Sequence, residues 1–132
     1  MLILIVEDEP IVALNLIEAI EAHGHQVLGA VSTRVEVTHL LRIQHPDLAL
    51  VDINLHGETG GIDIAHRLTH NFAIPTIFLS GQQQLARANQ DAALGLIEKP
   101  FLAEQVADCI DAYASTCAGE QVSFPKVLEL FH

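Results

Sequence analysis

The stretch LALVDINLHG, residues 48–57, decides how the rest of the chain is read. Its apolar run, Leu48, Ala49, Leu50 and Val51, ends abruptly in Asp52. In a chain of mean hydropathy +0.35 such a run reads as a strand buried on both faces. That is the mark of a parallel sheet covered by helices on both sides. Asp52 then falls at the carboxyl end of a central strand, where open α/β sheets place their ligands.

Outward from this stretch, strand and helix signals alternate. LILIV (2–6) reads as a buried strand. Pro10 stands where a helix can begin, and apolar residues recur at Ile11, Leu14, Ile17 and Ile20 until Gly24. QVLGAV (26–31) is the second strand. Thr33 and Glu36 have capping-box spacing and open a helix to about His45, ahead of Pro46. After the third strand (48–52) and the loop NLHGETGG comes a helix over about 62–70. Pro75 precedes the fourth strand, TIFLS (76–80), and QQQLARANQDAA (82–93) is a weak, polar helix. LGLIE (94–98) is a short fifth strand ended by Lys99-Pro100. The last helix has Leu102, Val106, Cys109, Ile110 and Tyr113 on one side.

This is an α/β pattern of the (βα)5 kind, a doubly wound parallel five-stranded sheet. A flavodoxin-like strand order, 2-1-3-4-5, is expected, with the carboxyl ends of strands 1, 3 and 4 sharing one rim. The domain spans 1–117. Residues 118–132, AGEQVSFPKVLELFH, form a tail in which PKVLELF is expected as a short extra helix or the start of a linker. Its Val127, Leu128, Leu130 and Phe131 need a cover.

Composition narrows the function. The chain has 132 residues, enough for one domain with a real core. It carries 6 Lys plus Arg against 17 Asp plus Glu, a net charge of -11. Such a surface disfavours direct nucleic-acid binding, which draws its affinity from neutralised phosphates. No apolar stretch reaches transmembrane length, and the opening MLILIVEDEP lacks the basic start of a signal peptide. No membrane association is expected, and a cytoplasmic location is. Cys109 and Cys117 have neither metal nor disulfide-framework spacing and fit a reducing compartment. His66 and His70 are spaced to share a helix face, but the sequence shows no third ligand beside them, so they read as a solvated face.

The strand ends converge on one chemistry. Strand 1 delivers Glu7 and Asp8; strand 3 delivers Asp52 and then Asn54; strand 4 delivers Ser80 before Gly81; strand 5 delivers Lys99 before Pro100. Carboxylates gathered at a partly exposed site repel by on the order of 1 kcal/mol or more per pair. A hard divalent cation relieves this, and oxygen ligands from Asp8, Asp52 and a backbone carbonyl suit Mg2+. Asp52 can also serve as a nucleophile toward a phosphoryl group, giving an acyl phosphate. Lys99 and the metal can neutralise the phosphoryl oxygens, and Ser80 can hydrogen-bond one of them. Taken singly, each group has a plain reading as a strand-end cap, a turn or a helix start. Their conjunction in strand order does not.

IVEDEP, PDLALVDINL, TIFLSG and EKPF together resemble the receiver domain of bacterial two-component response regulators, over residues 1 to about 117. The resemblance implies Asp52 as the phosphoacceptor and Asp8 as a direct metal ligand, with Glu7 acting mostly through metal-bound water. It implies that Asn54 offers its backbone carbonyl to Mg2+, that Ser80 is the switch hydroxyl, and that Lys99 pairs with a phosphoryl oxygen. It implies a histidine kinase or histidine phosphotransfer protein as the donor in a phosphorelay. A homodimer through the fourth helix, fifth strand and fifth helix is the candidate assembly. Leu96 stands where many receivers carry an aromatic switch, so it is expected as packed or exposed apolar surface, or as part of an atypical output face. Two other readings compete. One is an interaction module that keeps the fold and ignores phosphate. The other is a phosphatase with an aspartyl intermediate, which would favour a second Asp where Asn54 stands.

Overall fold

The computed structural model describes residues 1–56 and 60–131. Parallel strands β1 (Leu2–Val6), β2 (Gln26–Val31), β3 (Leu48–Asp52), β4 (Thr76–Ser80) and β5 (Gly95–Glu98) alternate with helices α1 (Pro10–Ala22), α2 (Arg34–Ile43), α3 (Gly60–His70), α4 (Gln83–Ala88) and α5 (Ala103–Cys117). A final short strand, β6 (Leu128–Leu130), completes a six-stranded sheet of order β2-β1-β3-β4-β5-β6. The flavodoxin-like order of the five parallel strands is as expected from the sequence. All residues of β3 and β4 are buried, as their unbroken apolar runs require.

The sheet separates two apolar layers. Leu4, Val51, Ile64, Leu68, Phe78 and Leu96 belong to one, on the α3 side. Ile5, Leu16, Ile20, Leu50, Val106 and Ile110 belong to the other, under α1 and α5. Alternation along each strand divides its side chains between the layers.

The tail corrects the expectation of a short extra helix. Leu128–Leu130 pairs antiparallel with β5, with Leu96 opposite Glu129 and Ile97 opposite Leu128. A five-stranded sheet leaves the outer N–H and C=O groups of β5 unpaired, and an extended tail satisfies them where a helix would not. Leu128 enters the α5-side layer and Phe131 packs on the α3-side layer, so its own domain covers most of the tail's apolar side chains, while Leu130 stays 41% exposed. Gly95 makes this close approach feasible: a Cβ there would collide with the carbonyl oxygen of Glu129.

Two helices also differ from their sequence reading. The segment expected as one helix over 82–93 is α4 followed by a 3-10 turn, Gln90–Ala92. Ala86 and Ala92 are its buried anchors, with Leu85 and Ala93 packing partly on the core, which is too little apolar surface to organise a longer helix. In α1 the inward residues are Ala13, Leu16 and Ile20, while Ile11 and Leu14 are exposed by 75% and 54%. That helix is apolar around most of its circumference, so periodicity alone did not reveal its buried side.

Candidate functional site

The rim at the carboxyl ends of β1, β3 and β5 brings Glu7, Asp8, Asp52 and Lys99 together. One carboxylate oxygen from each of Glu7, Asp8 and Asp52 lies within 4.8 Å of the other two. Parallel register sets this up: Val6 pairs with Val51, so the next residue of each strand emerges on the same edge. Lys99 follows β5 and reaches back across β4. Its Nζ lies 3.1 Å from Asp52 Oδ2 and 3.6 Å from Glu7 Oε1.

Each carboxylate is oriented by backbone donors. The Asn54 N–H donates to Asp52 Oδ1 at 3.0 Å. The Asp8 N–H donates to Glu7 Oε2 at 3.0 Å. The His56 N–H donates to Asp8 Oδ2 at 2.7 Å. His56 holds a left-handed φ of 51°, and its part in the site has no signal in the sequence. Gly61 is a second residue that sequence reasoning did not assign to the site. Its N–H donates to the Ile53 carbonyl at 3.1 Å. A Cβ at Gly61 would collide with the carbonyl oxygen of Asp52 and lie 2.7 Å from Ile53 Cα. Glycine therefore lets the first turn of α3 press against the backbone that carries Asp52. The Gly57 portion of the loop NLHGETGG lies outside the described residues, as do Glu58 and Thr59.

The electrostatics are those of crowded anions beside one cation. Burial, reinforced by the neighbouring Asp52 carboxylate, pushes the Glu7 carboxyl up to about 7 against the pull of Lys99. Burial works against the Lys99 ammonium. Asp52, Glu7 and Glu9 outweigh it and hold its pKa above the usual value. Glu7 Oε1 is buried with no hydrogen-bond partner, which among the described side chains is a singular deficit. An unsatisfied buried carboxylate oxygen beside two further carboxylates is the donor set that a hard divalent cation takes.

Ser80 is buried at the end of β4, with its backbone carbonyl accepting from the Lys99 N–H at 2.9 Å. Its Oγ accepts the Gln82 N–H at 2.8 Å, so the hydroxyl is turned toward its own loop. Asn54 is exposed beside Asp52. Leu96 lies in the core, 1% exposed and level with Phe78 on the neighbouring strand. It is therefore not exposed apolar surface, because α4, the 3-10 turn and the tail close over the α3-side face of β5.

The sequence profile of the response regulator receiver domain matches residues 3–111, and the chain belongs to this family. It is 35% identical over 101 residues to the phyllosphere-induced regulator PhyR of Methylorubrum extorquens, covering 75% of this chain and 38% of that protein. It is 27% identical to the transcriptional regulatory protein PdtaR of Mycobacterium tuberculosis, covering 83% of this chain and 53% of PdtaR. The chain thus spans less than two thirds of the curated relatives it matches. Among solved structures, the receiver domain of a modulated diguanylate cyclase from Desulfovibrio desulfuricans superimposes with a TM-score of 0.73 at 32% identity, covering 90% of this chain and 98% of that one. The anti-anti-sigma factor PhyR of Bartonella quintana gives 0.67 at 30% identity, covering 89% of this chain and 51% of that one. Receiver domains are signalling domains, generally not turnover enzymes. Among the described residues no helix is long and apolar enough to cross a membrane.

Proposed function

We propose that Asp52 accepts a phosphoryl group from a phosphohistidine and that the resulting charge alters the segment after β4. The supporting observation is the Lys99 ammonium 3.1 Å from Asp52 Oδ2, beside the clustered Glu7 and Asp8 carboxylates. One oxygen of Asp52 attacks phosphorus as the P–N bond to the donor imidazole breaks, and the departing imidazole takes up a proton. The Asn54 N–H holds Asp52 Oδ1, which leaves Oδ2 as the oxygen facing Lys99. Lys99 then trades a carboxylate partner for a phosphoryl oxygen. Glu7, Asp8 and Asp52, with the carbonyl of Asn54, would hold Mg2+, which supplies charge neutralisation for the transferred group.

Ser80 is the proposed switch hydroxyl. Rotation toward a new phosphoryl oxygen releases the Gln82 N–H and with it the start of α4. Such a local event biases an element with two arrangements. Leu96 lies in the core beneath that element and is proposed to repack with it. Slow loss of the phosphoryl group to water completes the cycle.

A groove of about 420 Å³ lined by Glu9, Val12, Leu16, Lys99, Phe101 and Ala103 runs beside the site. With exposed Ile11, Leu14 and Leu102 nearby, it suits an apolar helix of a histidine kinase or histidine phosphotransfer protein in the cytoplasm. Likeness to an anti-anti-sigma factor makes an anti-sigma factor a candidate output partner. A homodimer through α4, β5 and α5 would have to incorporate or displace β6.

Incubation with acetyl phosphate and Mg2+ tests the reading by intact mass. Wild type is expected to gain one phosphoryl group and Asp52→Asn none. An unmodified wild type, or equal modification of the variant, overturns it.

A further inference from the structure

The fold supplies the third ligand that the sequence did not show beside His66 and His70. Asp91 in the 3-10 turn sits over α3. Its Oδ2 lies 3.8 Å from His66 Nδ1 and 3.5 Å from His70 Nε2. One ligand atom from each of the three residues lies within 4.8 Å of the other two. Both nitrogen–oxygen separations exceed an ordinary hydrogen bond. They approach the edge of a tetrahedron around an ion with ligands at about 2.0–2.2 Å, which is roughly 3.4 Å.

The surrounding hydrogen bonds prepare the ligand atoms. Asn89 Nδ2 donates to the Leu85 carbonyl at 3.0 Å, so its Oδ1 is the atom that faces His66 Nε2 at 3.1 Å. That oxygen can only accept, which places the proton of a neutral His66 on Nε2 and leaves Nδ1 bare toward Asp91. Metal-binding histidines are ordinarily held this way, by an acceptor on the nitrogen away from the ion. The platform is anchored as well. Thr69 Oγ1 on α3 donates to the Ala92 carbonyl at 2.6 Å, and Ala92 is buried. The two rings are nearly parallel, 23° apart with centroids 5.6 Å from each other.

The other histidine cluster has no such opening. Both nitrogens of His23 are already bonded, to Asp111 at 2.6 Å and Glu104 at 2.8 Å. These partners stabilise its imidazolium, which has no lone pair to give a metal.

We propose that His66, His70 and Asp91 form a surface site for a borderline divalent cation of the Zn2+ class, separate from the carboxylate pocket around Asp52. Two imidazoles and one carboxylate are a donor set for Zn2+ rather than Mg2+. The ligands are partly exposed, at 33%, 50% and 69% of their side chains, so water completes the coordination. The ion would tie α3 to the turn between α4 and β5.

The test is Zn2+ titration of the whole chain against a chromophoric chelator, in saturating Mg2+ and a Cys117→Ser background. One Zn2+ is expected per chain, with affinity falling at least tenfold in His66→Gln/His70→Gln and in Asp91→Asn. Ring nitrogen chemical shifts should move at His66 Nδ1 and His70 Nε2, and amide exchange over 85–94 should slow with Zn2+. The variants are expected to retain the wild-type circular dichroism, which separates a lost site from a lost fold. No Zn2+ uptake by the Cys117→Ser chain under these conditions, or equal uptake by the double variant, overturns the proposal.

Discussion

Arg87 of α4 grips Glu129 of β6 at two points, Nε to Oε2 at 2.8 Å and Nη2 to Oε1 at 2.7 Å. The pair joins the segment after Ser80 to the tail strand across the edge of the sheet. Both groups are largely exposed, so the geometry orients β6 more than it holds it in place. The hold comes from Leu128, which is 8% exposed within the α5-side layer. Glu129→Ala should therefore leave the urea midpoint nearly unchanged. Leu128→Ala should cost about 2 kcal/mol, at the low end for a buried leucine because an edge strand can relax. Faster amide exchange along β5 in the Leu128 variant, but not in the Glu129 variant, would mark release of the strand.

The two adjacent glycines of α3 should respond oppositely to one methyl group. At Gly61 a Cβ meets backbone atoms of Asp52 and Ile53, which cannot step aside like a flexible side chain. Gly61→Ala is expected to lose about 2–3 kcal/mol or more in urea unfolding. It should also slow modification of Asp52 by a small phosphodonor, since the shift falls on the strand end that carries the carboxylate. At Gly60 nothing among the described residues lies within 4 Å of the added atom. Gly60→Ala should be neutral or stabilising by up to about 1 kcal/mol, through a less flexible unfolded chain.

Mg2+ should stabilise the fold through the carboxylate cluster. Binding to the native state alone adds about 2.7 kcal/mol when the ion is 100-fold above its Kd. Thermal unfolding of wild type should rise with Mg2+ accordingly. Asp8→Asn removes the carboxylate charge while keeping an oxygen that can accept the His56 N–H, and should abolish most of the rise. A rise of equal size in this variant would place the stabilising ion elsewhere.

The His23 cluster predicts a slope of stability with pH. Hydrogen bonds that His23 donates to Glu104 and Asp111, then their charges, push His23 from 6.5 up to about 9. A group raised in the folded state stabilises fully below its unfolded value. Stability should therefore be lost as pH rises from about 6.5 through about 9. Burial opposes the Asp111 carboxylate, but hydrogen bonds from His23 and His25 prevail and hold it below its usual range. Its contribution is present above the unfolded carboxylate value of 3.8 and fades as pH falls through the lower folded value. Urea midpoints between pH 6 and pH 9.5 check the alkaline arm, and His23→Gln should flatten it.

Local pattern determined much of this protein. Apolar runs ending in Asp52 and Ser80, the spacing of Thr33 and Glu36, and the position of Pro10 suffice for the order of elements, because each is a matter of near neighbours. The Thr33 hydroxyl does accept the Glu36 N–H, at 3.2 Å. Parallel strands emerging on one rim also made the meeting of Glu7, Asp8, Asp52 and Lys99 legible, since topology alone sends strand ends to the same edge. Contacts made across the fold were not legible. Val127–Phe131 carries no helical or strand signal strong enough to decide its form, and only the unpaired edge of β5 made Leu128–Leu130 a strand. Nothing near Gly61 in the chain announces that Asp52's backbone will press against it. Asp91 lies 21 residues beyond His70, and packing of a short turn on α3 brought the two together. Sequence spacing governs what one element presents, whereas distance between elements is set by packing, which is why the rim was readable in advance and the tail, the glycine contact and the histidine–aspartate cluster were not.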